Sequence, residues 1–280
     1  MVSMQHFCDY HMHSSLSEDS QTPMANQIRQ AISLGLREIC ITEHFDFDPC
    51  EYSPNLARPG DPRDGYIDDL LYDQVFQQCQ NQYGSAIRLR QGAEVGEPHR
   101  FPNEARAILK KHSYDFVLGS IHLFQGNNIS SPWLDVPATA KEAYETFFSG
   151  AWDLAGCDIY DVMAHLDIIK RHSQTYYGPF DPTEYADPIR QVLRRLISNG
   201  RGIEINTSGL RQNAKETLPG LTILQWYKEL GGEILTVGSD AHRAEHVGFG
   251  LDSGRELALA AGLKYYCTYE QRKPFFHSFL

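Results

Sequence analysis

Seven short apolar or β-branched runs recur along the chain, and stretches with helical periodicity separate them. Runs of four to six residues that alternate with helices are typical of buried parallel strands. Repeated strand–helix units predict an α/β fold, and seven units predict a distorted (β/α)7 barrel of the TIM-like kind. A doubly wound open sheet is the alternative. The runs are Phe7–His11, Glu38–Thr42, Ile87–Gly92, Phe116–Ile121, Asp161–Ala164, Gly202–Ile205 and Glu233–Val237, with Lys264–Thr268 as a candidate eighth strand.

Capping and turn residues mark the helices between these runs. Thr22 and Pro23 predict an N-cap followed by a first-turn proline, and Gly35 predicts the end of that helix. A barrel of 280 residues fits one domain, so we expect residues 1–280 to form a single domain. The segment Asp48–Tyr66 lacks helix signals and predicts a functional loop on the catalytic face. The other predicted helices run from Pro137 to Gly156, Asp181 to Gly200, Leu221 to Leu230 and Arg255 to Ala261.

Composition excludes several classes of protein. The net charge is −11 and no block of Lys or Arg occurs, which argues against a partner held by general electrostatics, such as nucleic acid. No basic segment precedes an apolar one at the N-terminus, and no apolar run reaches membrane-spanning length. The six cysteines are scattered and form no CxxC pair, so we expect reduced thiols in a cytoplasmic protein without a membrane partner. The sequence carries no readable sign of oligomeric state.

Polar residues follow the predicted strands at their C-terminal ends, where catalytic residues of such barrels lie. His11 and His13 are two residues apart, so both imidazoles project from the same side of the first strand. Asp240 and His242 form the same kind of pair after the seventh strand. The sixth strand ends in polar Glu204-Ile205-Asn206-Thr207. The remaining candidates are Asp19, His44, Asp46, Glu94, His122 and His165.

These strand-end residues predict a metal centre. A single histidine after a strand is usually a hydrogen-bonded or surface residue, but six histidines and three acids at the same end of consecutive strands are not explained by chance. Imidazole and carboxylate together suit Zn, Mn or Fe rather than Ca or Mg. We therefore expect two or three divalent ions. The other histidines (6, 99, 112, 172, 246 and 277) lie away from strand ends and are interpreted as surface or structural residues.

A metal cluster without sulfur ligands suggests hydrolysis, with phosphoesters as the first substrate class because paired ions favour in-line displacement at phosphorus. The competing interpretation is an amidohydrolase-like barrel, which commonly uses a lysine at a strand end; Lys170, five residues beyond His165, does not fit that position. Arg171 and Arg211 follow strands that carry candidate ligands, and arginine binds phosphate with a fork of donors. A solvated or ion-paired surface role is the alternative for both.

Four motifs resemble those of the PHP (polymerase and histidinol phosphatase) family: His11-Met12-His13, Thr42-Glu43-His44, Gly119-Ser120-Ile121-His122 and Gly238-Ser239-Asp240-Ala241-His242. Two further stretches, Asn206–Arg211 and Val247-Gly248, are similar to the stand-alone histidinol-phosphate phosphatases of that family. The resemblance implies a distorted barrel with three metals. The implied ligands are His11, His13, Glu94 and Asp240 for the first, Glu94, His122 and His165 for the second, and Asp19, His44 and His242 for the third.

The resemblance also implies an activity. It predicts a phosphomonoesterase that hydrolyses L-histidinol phosphate in histidine biosynthesis by attack of a metal-bridging hydroxide, with Arg171 and Arg211 on the substrate phosphate. We expect Asp240 and His242 to act in catalysis too, and Asp46 or Asp161 to protonate the leaving alcohol. The alternatives are a related phosphatase or phosphodiesterase for nucleotides or oligonucleotides, and a non-catalytic regulatory domain. Candidate residues for the histidinol amine and imidazole are Glu51, Tyr52, Asp61, Asp64 and Trp133.

Overall fold

A seven-stranded parallel sheet forms the centre of the protein, in a computed structural model that describes residues 7–47, 67–124, 127–129 and 139–280. The strand order is β1-β2-β3-β4-β7-β8-β9, and neighbouring strands are parallel. The described strands are β1 (Cys8–Asp9), β2 (Glu38–Phe45), β3 (Arg88–Gly96), β4 (Phe116–Ser120), β5 (Leu123–Phe124), β6 (Asn127–Asn128), β7 (Val162–Met163), β8 (Gly202–Asn206), β9 (Leu235–Gly238), β10 (Tyr265–Glu270) and β11 (Lys273–Ser278).

Backbone hydrogen bonds close this sheet into a barrel. The amide of Tyr10 donates to the carbonyl of Val237 at 3.0 Å, and the amide of Asp240 donates to the carbonyl of His11 at 2.8 Å. Met12 and Ala241 form a further parallel bridge beyond the ends of β1 and β9. The first and last strands therefore pair with each other, which confirms the (β/α)7 barrel and excludes the doubly wound open sheet.

Helices follow the barrel strands and bury one face against them. In α6 the buried residues Ile189, Val192, Leu193 and Leu196 recur at helical spacing, as a helix packed on a sheet requires. The described helices are α1 (Met24–Ser33), α2 (Asp69–Tyr83), α3 (Pro102–Leu109), α4 (Ala140–Ala155), α5 (Lys170–Tyr177), α6 (Ala186–Ser198), α7 (Leu221–Glu229) and α8 (Leu251–Ala260). Within the described ranges, none of the helices combines the length and apolar character needed to cross a bilayer.

Several predicted helix boundaries differ from the structure. Pro23 is the N-cap of α1 rather than its first helical residue, and no side chain caps that helix. A short 3-10 helix over Pro182–Tyr185 precedes α6, and Asp181 caps it by accepting from the amide of Thr183. The last helix, α8, begins four residues before the predicted start at Arg255 because Leu251 already packs in the core. The predicted start at Pro137 lies outside the described residues.

The candidate eighth strand is a strand, β10, and it lies outside the seven-stranded sheet. The chain turns at Gln271 and Arg272, both with positive φ, so β10 and β11 form an antiparallel hairpin, as two-residue turns of this kind favour. The amide of Tyr269 donates to the hydroxyl of Tyr10 at 2.8 Å, and Arg272 Nε donates to Asp161 Oδ2 at 2.5 Å. The hairpin therefore covers the N-terminal end of the barrel and leaves the C-terminal end for the site.

Candidate metal centre

Glu94, near the C-terminal end of β3, lies at the centre of the clustered side chains. It is 1% exposed, and it pairs with His44 across the β2–β3 ladder. Its Oε2 lies 2.9 Å from His11 Nε2, 3.2 Å from His13 Nε2 and 3.3 Å from His44 Nδ1. One carboxylate oxygen thus faces three imidazoles that come from two different strand ends.

The other oxygen of Glu94 faces a second group of histidines. Oε1 lies 2.8 Å from His165 Nε2 and 3.1 Å from His122 Nε2, and it accepts a hydrogen bond from Ser120 Oγ at 2.5 Å. The two carboxylate oxygens therefore address separate sets of imidazoles. This is the geometry in which one carboxylate can bridge two ions.

Asp19 and Asp240 complete the cluster, with Asp19 half exposed and Asp240 buried. Asp19 Oδ2 lies 2.8 Å from His242 Nε2 and 3.5 Å from His44 Nε2. Asp240 Oδ1 lies 3.6 Å from His13 Nε2 and 3.4 Å from His242 Nδ1. The structure thus brings together all nine side chains that the sequence predicts as metal ligands.

The donor atoms fit divalent ions. Four sets of three residues have ligand atoms within 4.8 Å of one another: His11, His13 and Asp240; His13, His44 and His242; Glu94, His122 and His165; and His44, Asp46 and His122. His13 Nε2 and His44 Nδ1 are buried without a hydrogen-bond partner among the described residues, although buried nitrogens normally have one. Ions bound among these side chains would satisfy both atoms, and the imidazole–carboxylate set is typical of Zn, Mn or Fe sites.

The charges in the cluster are strongly coupled. Burial favours the neutral acid in Glu94, but His11, His122 and His44 outweigh it and hold the pKa of Glu94 well below its usual value. Burial lowers the pKa of His44, and the carboxylates of Asp19 and Glu94 reverse this and raise it to about 10. The protons on these imidazoles occupy nitrogen atoms that could also bind a metal cation, so metal binding to this site would displace them.

Asp46, predicted as a general acid, lies at the edge of the cluster. Its Oδ1 is 2.9 Å from His122 Nδ1, and its Oδ2 is 3.7 Å from His44 Nδ1. Its side chain is 13% exposed. The carboxylate can therefore reach both the imidazoles and a molecule in the mouth of the barrel.

Arg171 and Arg211, the two arginines predicted to bind phosphate, both lie beside Asp240. Arg171 Nη2 donates to Ser208 Oγ at 3.0 Å and lies 3.5 Å from Asp240 Oδ2. Arg171 Nε is buried and has no partner within the described part of the chain. The Nη atoms of Arg211 donate to the carbonyls of Ser239 at 2.7 Å and Asp240 at 2.6 Å. Both guanidinium groups are thus held against the loop that carries Asp240.

Two residues weighed from the sequence lie away from the cluster. Asp161 is at the N-terminal start of β7 and pairs with Arg272, so its prediction as a general acid is wrong. Lys170 is fully buried and lies 2.7 Å from Asp167 Oδ2 and 3.0 Å from Glu216 Oε1, so it does not supply the lysine of an amidohydrolase-like site. Glu51, Tyr52, Asp61, Asp64 and Trp133, proposed for histidinol, lie outside the described residues.

The profile of the PHP domain family matches residues 9–208, which carry most of these side chains. The chain belongs to the PHP domain family. The PHP chain is 31% identical over 261 residues to a probable histidinol-phosphatase of Clostridium acetobutylicum, covering 91% of this chain and 94% of that relative. It is 28% identical to the histidinol-phosphatase of Lactococcus lactis, covering 95% of each.

Solved structures agree with the PHP assignment. The histidinol phosphate phosphatase of Lactococcus lactis, crystallised with zinc, L-histidinol and phosphate, superposes with a TM-score of 0.84 at 27% identity, over 96% of this chain and 98% of that one. A putative histidinol phosphatase of Listeria monocytogenes superposes with a TM-score of 0.76 at 19% identity, over 88% of this chain and 99% of that one. The second match concerns the fold alone.

The PHP site also contains buried polar side chains to which the sequence assigned no role. Glu204 Oε1 lies 2.7 Å from His11 Nδ1, and Asn206 Nδ2 donates to Asp240 Oδ2 at 3.3 Å. Both residues are in β8 and are two positions apart. The same spacing that identified His11 and His13 would have placed them on the barrel interior.

Two histidines outside the cluster make structural contacts, as predicted. His112 Nε2 lies 2.9 Å from Asp69 Oδ2, at the start of α2. His277 Nε2 lies 2.8 Å from the Thr268 hydroxyl in the terminal hairpin. Burial and then the charge of Arg211 lower the pKa of His246. Its interpretation as a surface or structural residue stays a prediction.

Proposed function

We propose that this chain is a metal-dependent phosphomonoesterase that hydrolyses L-histidinol phosphate to L-histidinol and phosphate. The observation that carries the proposal is the arrangement of Glu94, whose two oxygens face separate histidine groups, with two arginines beside Asp240. The histidinol-phosphatase names of the relatives, which match over almost the whole chain, support the choice of leaving group. Histidine biosynthesis in the cytoplasm is the corresponding role.

The proposed ligands form three overlapping groups. His11, His13, Glu94 and Asp240 would hold one ion, Glu94, His122 and His165 a second, and Asp19, His44 and His242 a third; the contacts of Glu94 and Asp19 support this division. Zinc, manganese and iron all suit these donors. Divalent ions bound there would activate water at neutral pH and would neutralise charge on phosphoryl oxygens.

The protein's own groups would position the phosphate and supply a proton. Arg171 offers its unpartnered Nε and Arg211 its positive charge to the phosphate oxygens, and these contacts strengthen as charge develops in the transition state. Asp46 is the proposed general acid for the departing alcohol, because its carboxylate is partly exposed beside His122. Asp240 and His242, which are proposed ligands, would also act in catalysis. Asp240 Oδ1 lies 3.4 Å from His242 Nδ1.

A substrate comparison tests the assignment. Zinc-reconstituted protein would be assayed for kcat/KM with histidinol phosphate, a mononucleotide and a phosphodiester. The proposal predicts that histidinol phosphate is preferred by at least about a hundredfold, as expected where a site pairs polar groups with one leaving alcohol. Similar kcat/KM values for all three substrates would contradict the proposal. A preference for the diester would favour the alternative function, a phosphodiesterase for nucleotides or oligonucleotides.

A further inference from the structure

We propose that Glu204 is a positioning residue that joins the two sides of the metal site. It fixes the ring of His11, which belongs to the first proposed ion, and the backbone of His165, which belongs to the second. The inference rests on the proposed function, because it assumes that the Glu94 cluster holds metal. No motif in the sequence assigns Glu204 a role.

The first contact sets the orientation of an imidazole. Glu204 Oε1 lies 2.7 Å from His11 Nδ1, and each side chain is at most 1% exposed. An ionised carboxylate only accepts hydrogen bonds, so this contact places the proton of a neutral His11 on Nδ1. The lone pair of Nε2 then points toward Glu94 and Asp240, as a metal-ligating histidine requires.

The second contact holds a strained backbone. Glu204 Oε2 accepts from the amide of His165 at 3.0 Å and from Asn206 Nδ2 at 3.1 Å. His165 has φ of 25°, in the left-handed region that non-glycine residues rarely adopt. From this backbone position its Nε2 lies 2.8 Å from Glu94 Oε1. One carboxylate therefore contacts a proposed ligand from the first strand and a proposed ligand from the fifth barrel strand.

Gly238 leaves the space that this arrangement needs. A Cβ at Gly238 would lie 2.5 Å from Glu204 Oε1 and 2.3 Å from His11 Cβ. Side-chain atoms do not approach a Cβ so closely. The glycine at the end of β9 thus lets the Glu204 carboxylate lie directly beside the His11 ring, which is a built contact rather than a loose neighbour.

A glutamine at position 204 cannot reproduce both contacts, because it has one accepting oxygen and one donating nitrogen. With the nitrogen toward His11, a donor meets the Nδ1 proton of the metal-binding tautomer. With the nitrogen toward His165, a donor meets the backbone amide and Asn206 Nδ2. Either orientation opposes one side of the metal site while preserving the volume of the residue.

Glu38 offers a matched control. It is a fully buried glutamate at the start of β2, at the end of the barrel opposite the cluster. Its carboxylate accepts from Arg88 Nη1 at 3.1 Å, from Arg90 Nε at 2.9 Å and from the Tyr10 hydroxyl at 2.5 Å. Glu38→Gln therefore removes a buried charge without changing a hydrogen bond to a proposed metal ligand.

The test measures zinc affinity by competition with a chelator, and zinc content per chain, for wild type, Glu204→Gln and Glu38→Gln. We expect Glu204→Gln to weaken zinc binding about 10–100-fold, as loss of an orienting carboxylate does. We expect Glu38→Gln to lower stability but to keep zinc affinity within about threefold of wild type. Thermal unfolding of the metal-free proteins checks that each variant is folded. If Glu204→Gln does not fold, Glu204→Ala and Glu204→Asp replace it in the same titration, with the same expected loss.

Two results would overturn the inference: wild-type zinc affinity in Glu204→Gln, or an equal loss of affinity in Glu38→Gln. In either case wild-type protein could still bind zinc and hydrolyse histidinol phosphate, and the proposed function would stand. Failure of wild-type protein itself to bind zinc would contradict the proposed function instead. The two failures are therefore distinguished by the same titration.

Discussion

Arg171 and Arg211 both contact Asp240, but they differ in the donors left for a substrate. Both Nη atoms of Arg211 donate to backbone carbonyls. Arg171 has one Nη on Ser208 and a buried Nε with no partner among the described residues. At the residue scale, Arg171 is therefore the better-placed candidate for a phosphate contact, whereas Arg211 holds the backbone at Ser239 and Asp240.

Arg171→Ala should raise KM for histidinol phosphate about 10–100-fold, because it removes charged hydrogen bonds to the phosphate. Zinc content should not change, since the arginine is not a proposed ligand. The control is Arg106→Ala, which removes an arginine paired with Asp158 near the N-terminal end of the barrel. Steady-state kinetics and metal analysis provide the measurement, and an unchanged KM or a loss of zinc in Arg171→Ala would refute the phosphate role.

The sequence predicts candidate metal ligands better than it predicts the residues that position them. His11 and His13 share a face because of their spacing, and the structure places both on Glu94. The same spacing places Glu204 on the interior but does not say which nitrogen its oxygens meet, because that depends on contacts across the barrel. The prediction for Asp161 failed for a different reason. Asp161 directly precedes β7, so chain order alone excludes it from the catalytic end of the barrel.

At the scale of elements, the terminal hairpin closes the end of the barrel opposite the site. Arg272 binds Asp161 and the carbonyl of Ile159, and Tyr269 packs on Phe116 with ring centroids 4.8 Å apart. Asp161 also accepts from the amide of Val117. The carboxylate thus ties the hairpin to the starts of β4 and β7, which is a structural task.

Arg272→Ala should lower the free energy of unfolding by about 2 kcal/mol, because the buried carboxylate of Asp161 loses its arginine partner. The loss is smaller than for a buried carboxylate left without any partner, because Val117 and Arg201 remain near Asp161. Asp161→Asn should also lower stability but should leave kcat within about twofold of wild type, since it makes no contact with the reacting groups. Urea denaturation and kinetics measure the two effects. A folded Asp161→Asn protein with a tenfold lower kcat would restore Asp161 as a candidate acid.

Some elements leave a weak signal in the sequence. In α2 the residues buried are Tyr72, Phe76 and Cys79, among fifteen that are mostly polar, and α5 is polar along its length. Apolar periodicity identifies helices such as α6, where four buried residues define a face. The hairpin strand β10 was recognised as a strand, but its partner is decided by the turn at Gln271 and Arg272, not by its own composition.

For the whole molecule, closure of the barrel is what gathers the ligands. The bonds between the chain after β1 and the chain after β9 bring His11 and His13 beside Asp240 and His242, although these pairs are separated by almost the entire sequence. Barrel topology was predictable from the count of strand–helix units. The interpretation of residues 1–280 as one domain stays a prediction.

Because the proposed ions would bind only the folded cluster, they should stabilise the whole barrel. With free zinc at about 100 times its Kd, one site contributes about 2.7 kcal/mol, which raises Tm by about 5–10 °C for a protein of this size. Calorimetry of chelator-treated and zinc-reconstituted protein measures the shift, with magnesium as the control because oxygen-rich sites suit it better. Equal Tm values with and without zinc would contradict a metal site in the native fold.

The most direct test of the account is the metal content and activity of Glu94→Gln. Glu94 faces five histidines through two oxygens, so the substitution removes the charge on which both proposed ions depend. We predict two or three divalent ions per wild-type chain, at most one in Glu94→Gln, and no measurable hydrolysis of histidinol phosphate by the variant. A Glu94→Gln protein with the full metal complement and wild-type kcat would contradict the central claim.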